Sequence, residues 1–171
     1  MPPSPQAEPW LRGTHTAVPP FARAVLHALE LAGEDLDLWC SALTDKQLNL
    51  SLAGNASVAF HLRHVAGSLD RLLTYAEGRD LNDAQLRAKA KELEPGASTP
   101  DLLADLHTAL DESRRRVLVL AALPPETPRT VGRQALPTTI AGLLVHVADH
   151  TQRHVGQAIT TAKFVRAEHA G

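Results

Sequence analysis

TTIAGLLVHVADHTQRHVGQAITTAKFV, residues 138–165, is the segment with the clearest structural signature in this chain. Its apolar residues recur three and four positions apart, which is the spacing of one face of an α-helix. That face consists of Ile140, Leu143, Leu144, Val147, Ile159 and Val165. We predict one long amphipathic helix that begins near Pro137 or Thr138 and ends near Val165.

The same segment carries three histidines, His146, His150 and His154, at every fourth position. Side chains four apart on a helix are neighbours, and two such imidazoles can approach one zinc-sized ion to about 2.0–2.1 Å. His146 and His154 are roughly 12 Å apart along the axis, so only one adjacent pair can share an ion. Counted at 100° per residue, His150 and His154 are nearest the apolar face and form the predicted pair.

Three further segments have the same helical periodicity, and a short charged segment lies between the last two of them. They cover about residues 21–43, residues 57–76 with Ser57 as N-cap, and a stretch from Ser98 or Thr99 to Pro124. Between them, Asp80 or Asn82 can cap a short crossover helix that ends before Pro95. Four long amphipathic helices predict an all-α fold, a four-helix bundle with a short crossover helix.

Composition agrees with this fold class. The chain has 171 residues, enough for one domain with a single core, and 44% of them are apolar but only 4% aromatic. Such a core is rich in Leu, Ala and Val, a mixture that favours packed helices. Six of the 12 prolines fall within residues 1–20, so we expect a proline-rich arm that is extended or disordered until it is tied down. We therefore divide the chain into an arm, residues 1–17, and a bundle, residues 18–168.

Charge and cysteine content exclude several classes of function. The formal net charge is −2, which gives no attraction toward nucleic acid or anionic lipid. No segment approaches the ~20 apolar residues of a membrane span, and the amino terminus does not resemble a secretion signal. Cys40 is the single cysteine and is expected to be a buried hydrophobe. These features predict a cytoplasmic protein without a nucleic-acid or membrane partner, and without Cys/His or Ser/His/Asp catalysis.

A second histidine pair, His61 and His64, lies in FHLRH on the second long helix. Periodicity places His61 closer to the apolar face, so it favours His61 as the third ligand. Three neutral imidazoles with an open fourth position are typical of catalytic zinc and also suit nickel or iron. The alternative is that these rings are partly buried histidines that bond only to neighbouring protein groups.

Two of these motifs together resemble a known family. HVADHTQRHVGQ is similar to the H-x-x-x-H-x-G-Q signature that closes the last helix of DinB/YfiT-like four-helix-bundle metalloproteins. SVAFHLRHVAGSLDRLLTYAEG resembles their second helix, in which a histidine precedes an aliphatic–Ala pair, here His64 before Val65 and Ala66. Many members have Trp near the start of that helix, whereas this chain has Ala56 and Phe60.

The resemblance implies a metal triad of His64, His150 and His154, and it overrules the preference for His61. His61 and His146 then become partners of the ligands or pocket residues. The implied cofactor is a divalent cation, with zinc or nickel favoured and iron or manganese as further options. The resemblance also implies a homodimer and, as in some relatives, a low-molecular-weight thiol such as mycothiol or bacillithiol as substrate.

These observations lead to two functional hypotheses. In the first, the protein is a metal-dependent thiol transferase or hydrolase, because a bound cation lowers the pKa of a water or thiol. Asp149 or Asp70 would orient a ligand ring, and Arg63, Arg71 or Arg153 would hold a substrate carboxylate, although each also fits a surface charge. In the second, the protein is a non-catalytic binding or stress-response protein in which the ion staples two helices.

Overall fold

The computed structural model describes residues 7–167, and this part of the chain is mainly helical. Its α-helices are α1 (Pro20–Cys40), α2 (Asp45–Asn49), α3 (Val58–Ala76), α4 (Asp83–Ala90), α5 (Thr99–Leu120) and α6 (Ile140–Ala167). Strands β1 (Pro128–Val131) and β2 (Leu136–Thr139) form an antiparallel hairpin. The predicted all-α fold is confirmed. None of the helices described is both long and apolar enough to cross a membrane.

The four long helices pack around one apolar core. Helix α1 packs against α5 and α6, and α3 packs against the same two helices, so α1 and α3 lie diagonally across the bundle. The core side chains are almost completely removed from water, and each contributes about 1.5–3 kcal/mol of transfer free energy. They include Leu26, Leu29, Leu36, Leu62, Leu69, Leu73, Leu106, Leu110, Leu144 and Val155. The site therefore lies on a scaffold that apolar packing already holds together.

Polar caps fix where the helices begin. The Ser57 hydroxyl accepts a hydrogen bond from the Phe60 amide at the start of α3, and Ser98 caps α5 in the same way. Asn82, rather than Asp80, caps the crossover helix α4 through a capping box with Gln85. The predicted starts of these three helices are confirmed. Helix α2, which has its own capping box, was not predicted.

Three predicted helix boundaries are wrong. Helix α5 ends at Leu120, short of the predicted Pro124. Pro137 and Thr138 belong to strand β2, and α6 begins only at Ile140, whose amide donates to the Thr127 carbonyl. Helix α1 ends at Cys40, short of Leu43, although the Leu43 side chain is still buried in the core. Apolar periodicity shows which side chains face the core. Because a turn or a short strand beside a helix can also direct apolar side chains into the core, periodicity does not locate the end of the helix.

The described part of the arm packs on α1. Pro9–Leu11 form a single 3₁₀ turn, and the Arg12 guanidinium donates to both Glu34 carboxylate oxygens at 2.5 and 2.7 Å. Pro2, Pro3 and Pro5 lie outside the described residues. Residues 7–17 are thus tied down by a bidentate ion pair, while the division into arm and bundle remains a prediction.

Candidate metal centre

The structure brings His64, His150 and His154 together between α3 and α6. Each offers a ring nitrogen, and the three nitrogens lie within 4.8 Å of one another. The Nε2 atoms of His64 and His150 are 3.0 Å apart, and the ring centroids of His64 and His154 are 4.3 Å apart. All three side chains are half-buried. These are the three residues that the resemblance implied.

His61 lies beside this triad and is more deeply buried, with 6% of its surface exposed. Its Nδ1 is 3.2 Å from Nδ1 of His154, so one of these nitrogens donates a hydrogen bond to the other. Burial, with the nearby His154 and His64, lowers the pKa of His61 to about 4. The periodicity argument was right about burial, but the deeper ring contacts a triad member and is not in the triad.

His146 stands apart from the triad at the exposed end of the row. Its Nδ1 contacts the Asp149 carboxylate at 2.9 Å, and both side chains are about half exposed. Its ring centroid is 5.4 Å from that of His150. His146 is therefore a rim residue next to one triad member.

Glu92, just beyond α4, is the residue that sequence reasoning missed. Its side chain is almost buried, and Oε2 lies 2.7 Å from Nδ1 of His64. Oε1 lies 2.6 Å from the Arg71 guanidinium. Burial alone would raise the pKa of Glu92, but the contacts with His64 and Arg71 outweigh it and hold that pKa below its usual value. The ionised carboxylate can only accept, so His64 donates from Nδ1–H, and in the neutral ring this leaves the lone pair on Nε2, which faces His150.

Gly67 makes room for this arrangement. A Cβ atom at this position would lie 2.7 Å from Nη1 of Arg71 and 2.8 Å from Oε1 of Glu92. Glycine in a helix interior costs roughly 1 kcal/mol relative to alanine. The close approach of the Glu92–Arg71 pair explains why α3 has a glycine one turn after His64.

Burial disfavours the charged form of two triad imidazoles, His150 and His154. Burial, followed by the neighbouring His154 and His64, lowers the pKa of His150 to about 4. Burial and His64 likewise lower the pKa of His154. A neutral imidazole is the form that binds metal, so this donor set suits a borderline divalent cation such as zinc or nickel. The residues present therefore fit the metal that the motifs implied.

A pocket of about 560 Å³ opens beside the triad. His154 and His61 lie in its wall together with two phenylalanines and several polar groups. Phe60 also stacks on His64, with centroids 5.2 Å apart and 16° between the ring planes. The other wall residues are Asn55, Ala56, Arg153, Gly156, Gln157, Thr160, Thr161 and Phe164. A small molecule in this pocket would lie against one of the three imidazoles.

Asp70 and Asp149, the carboxylates expected to orient the ligand rings, contact residues outside the triad. Asp70 binds Arg116 and Gln85, and Asp149 contacts His146 and Arg153. Neither carboxylate hydrogen-bonds to the triad, and Glu92 takes that role. The expectation failed because Asp70 and Asp149 are near the histidines in sequence but project from other sides of their helices.

The three arginines expected to hold a substrate carboxylate lie in different surroundings. Arg71 is buried against Glu92, and Arg63 donates to the Glu94 backbone carbonyl. Only Arg153 lines the pocket, with 59% of its side chain exposed and one contact to Asp149 at 3.3 Å. Of the three, Arg153 alone is placed to meet an anion in this pocket.

Cys40 takes no part in the site. It is fully buried on α1, and burial raises its pKa to about 12. A thiol in this state is a poor nucleophile at neutral pH. The predicted buried, unpaired cysteine is confirmed.

The fold and the site together define a helical bundle that presents a cluster of three imidazoles between two of its long helices. The family model described as the DinB superfamily matches residues 28–158, well over half of the chain. The chain belongs to the DinB superfamily. A comparison with curated proteins gives no match.

Proposed function

We propose that this protein is a metal-dependent enzyme that activates a water or a low-molecular-weight thiol, as a hydrolase or a thiol transferase does. The observation that carries the proposal is the position of the triad. Three imidazoles lie within 4.8 Å of one another, and one of them forms part of the wall of a pocket of about 560 Å³. A purely structural metal site is closed by four protein ligands, whereas a reactive site keeps a position for substrate.

His64, His150 and His154 would hold the cation. Zinc or nickel suits three imidazole nitrogens best, and iron or manganese are further options. When bound, a divalent cation acts as a Lewis acid that lowers the pKa of a water or thiol ligand. Glu92 fixes the tautomer of His64 so that its Nε2 is free to bind.

His61 would position His154. The low pKa of His61 keeps its ring neutral, so its Nδ1 can accept a hydrogen bond from Nδ1–H of His154. His154 would then offer its other nitrogen to the cation. This arrangement gives a second ligand a fixed orientation, as Glu92 does for His64.

The pocket favours a small polar substrate with an anionic group. Arg153 supplies an exposed guanidinium, and Gln157, Thr160 and Asn55 supply neutral hydrogen-bonding groups. Guanidinium pairs with carboxylates in a bidentate geometry. A small thiol that carries a carboxylate fits this combination.

A metal staple without turnover is the competing hypothesis. Helices α3 and α6 already bury Leu62, Leu69, Leu144 and Val155 in the common core. We therefore expect chelation to lower the melting temperature of the protein only slightly. A large loss of helical circular dichroism on chelation would favour the staple instead.

Elemental analysis tests the ligands. We expect the His154→Ala variant to contain one equivalent of metal fewer than the wild type after identical purification. The His146→Ala variant is the matched control, because it removes an imidazole of the same row that is outside the triad. Equal metal content in the wild type and His154→Ala would refute the triad.

Spectroscopy tests whether the site accepts a substrate. We expect a small carboxylated thiol, added to the Co²⁺-substituted protein, to change the d–d absorption spectrum, and this change to weaken in Arg153→Ala. A spectrum that does not respond to thiols, together with no hydrolysis of test esters, would overturn the enzymatic proposal and leave the staple.

The wider setting is also a proposal. We infer a cytoplasmic homodimer without a nucleic-acid or membrane partner. The near-neutral charge supports the absence of a nucleic-acid or membrane partner. The resemblance to relatives that are often dimeric supports the homodimer. Sedimentation velocity at micromolar concentration tests the dimer, and a single monomeric species would contradict it.

A further inference from the structure

A second cluster of metal-ligating groups lies where the arm meets α1. His15, His27 and Glu30 each offer a ligand atom, and these atoms lie within 4.8 Å of one another. Nε2 of His15 is 2.6 Å from Oε1 of Glu30, and the two imidazole centroids are 5.5 Å apart. His15 and His27 precede residue 28, where the match to the family model begins. The cluster is thus a feature of this chain outside the triad.

The backbone of the arm is shaped to deliver His15 to this place. The φ angle of His15 is 57°, in the left-handed region, and this conformation costs a residue other than glycine roughly 1–2 kcal/mol. Gly13 before it also has a positive φ. Arg23 holds the loop by donating to the carbonyls of His15, Thr16 and Val18 at 3.0–3.1 Å. Strained backbone held by several bonds is typical of functional positions.

The other two groups are fixed by α1. His27 is 7% exposed, and its Nε2 lies 3.0 Å from the Thr14 hydroxyl. Glu30 is three residues further along the same helix, so both side chains project from one face toward the arm. One helix therefore supplies two ligands and the arm supplies the third.

We propose that His15, His27 and Glu30 form a second divalent-cation site, with zinc as the fitting ion. Two imidazoles and one carboxylate are an established donor set for zinc. Ligand atoms around a tetrahedral zinc ion are roughly 3.3 Å apart, given bonds of about 2.0–2.1 Å. The His15–Glu30 pair has to open slightly and the widest pair has to close, which side-chain rotation allows. The bound ion fastens the arm to α1.

Zinc titration in a triad-deficient background tests the site. We expect the full-length His154→Ala protein, freed of metal by chelation, to bind one equivalent of zinc with the arm cluster intact. Adding His15→Ala should weaken this binding by more than about tenfold. The matched control is His107→Ala, because His107 also pairs with a carboxylate, Asp37 at 2.8 Å, but belongs to neither cluster of three ligating groups found among residues 7–167.

Protease protection gives an independent readout. Trypsin cleaves after Arg12, so zinc should slow that cleavage in His154→Ala and leave it unchanged when His15→Ala is added. The Glu30→Gln variant keeps a hydrogen-bond acceptor for His15 and should also lose zinc binding, which separates metal binding from folding of the arm. No zinc uptake by His154→Ala, or full affinity in the His15→Ala or Glu30→Gln backgrounds, would overturn the proposal.

Discussion

Replacing Glu92 by Gln removes the carboxylate charge behind His64 and leaves a side chain of nearly the same size. In the wild type, Oε2 accepts from Nδ1–H of His64 at 2.7 Å and Oε1 contacts Arg71 at 2.6 Å. The amide can still accept through one oxygen, but it has no charge with which to polarise the ring. We expect the Glu92→Gln variant to fold and to bind metal more weakly.

The size of the effect follows from the contacts. Loss of a carboxylate that orients a ligand histidine typically weakens metal binding 10–100-fold, or about 1.4–2.7 kcal/mol. The variant also leaves Arg71, 8% exposed, without its counter-charge. Breaking a buried ion pair from one side costs up to about 3–5 kcal/mol, so a lower free energy of unfolding should accompany the weaker binding.

Competition between the protein and a chromophoric zinc chelator at pH 7.5 measures the affinity, and urea unfolding measures the stability. Asp149→Asn is the matched control, because it removes a carboxylate near the same row of histidines that contacts His146 and no triad residue. We expect it to change zinc affinity less than about twofold, as exposed ion pairs contribute little. If Glu92→Gln bound zinc as tightly as Asp149→Asn, the assigned role of Glu92 would be wrong.

Three more outcomes are expected. Gly67→Ala should weaken zinc binding, since its Cβ would displace the Glu92–Arg71 pair, and chelator competition measures the change. Gly156→Ala, which meets no atom within 4 Å, should instead raise the free energy of unfolding by about 0.5–1 kcal/mol in urea melts. A lower stability for Gly156→Ala would show that the space is not free. The metal-free protein should lose stability as pH falls from 6.5 to 4, because the folded state keeps His61 neutral while the unfolded chain takes up a proton. The lowering of the His61 pKa from 6.5 to about 4 corresponds to a loss of up to about 3 kcal/mol in the free energy of unfolding. In His61→Leu, urea unfolding over the same pH range should show a shallower fall of that free energy with pH.

The positions of the long helices could be predicted from the sequence because burial imposes a period. Leu62 and Leu69 on α3, and Leu144 and Val147 on α6, lie on the predicted apolar faces, and all four are buried. Ser57 and Ser98 mark helix starts through a local hydrogen bond that involves only the next few residues. Features that depend on neighbours in the sequence can be predicted from the sequence alone.

The hairpin and the end of α1 could not be predicted in the same way. Strand β1 starts at a proline, and the turn that follows contains Gly132 and Ala135 with positive φ angles. Such a segment resembles an irregular loop in composition. The hairpin is held by long-range contacts, including a hydrogen bond from Arg129 to the Ala76 carbonyl at the end of α3.

The triad was accessible only in part. Spacing pointed to His150 and His154, but on α3 it favoured the deeper ring, His61. A site between two helices uses side chains from the edge of the buried face, so depth alone does not identify a ligand. The choice of His64 came from the family resemblance.

Glu92 and the arm cluster had no periodic signal. Glu92 follows a charged helix that reads as solvated, and its approach to His64 depends on the path of the chain after α4. The interior glycine at position 67 was the one local hint that something packs closely on α3. His15 lies outside the helices and strands, so its meeting with α1 depends on the tertiary fold.

Anomalous diffraction from crystals of the zinc-loaded protein, recorded at the zinc absorption edge, tests the central claim most directly. We predict a strong peak between α3 and α6, within bonding distance of ring nitrogens of His64, His150 and His154. The absence of density there, in crystals that show zinc elsewhere, would contradict the proposal that these three imidazoles share one cation.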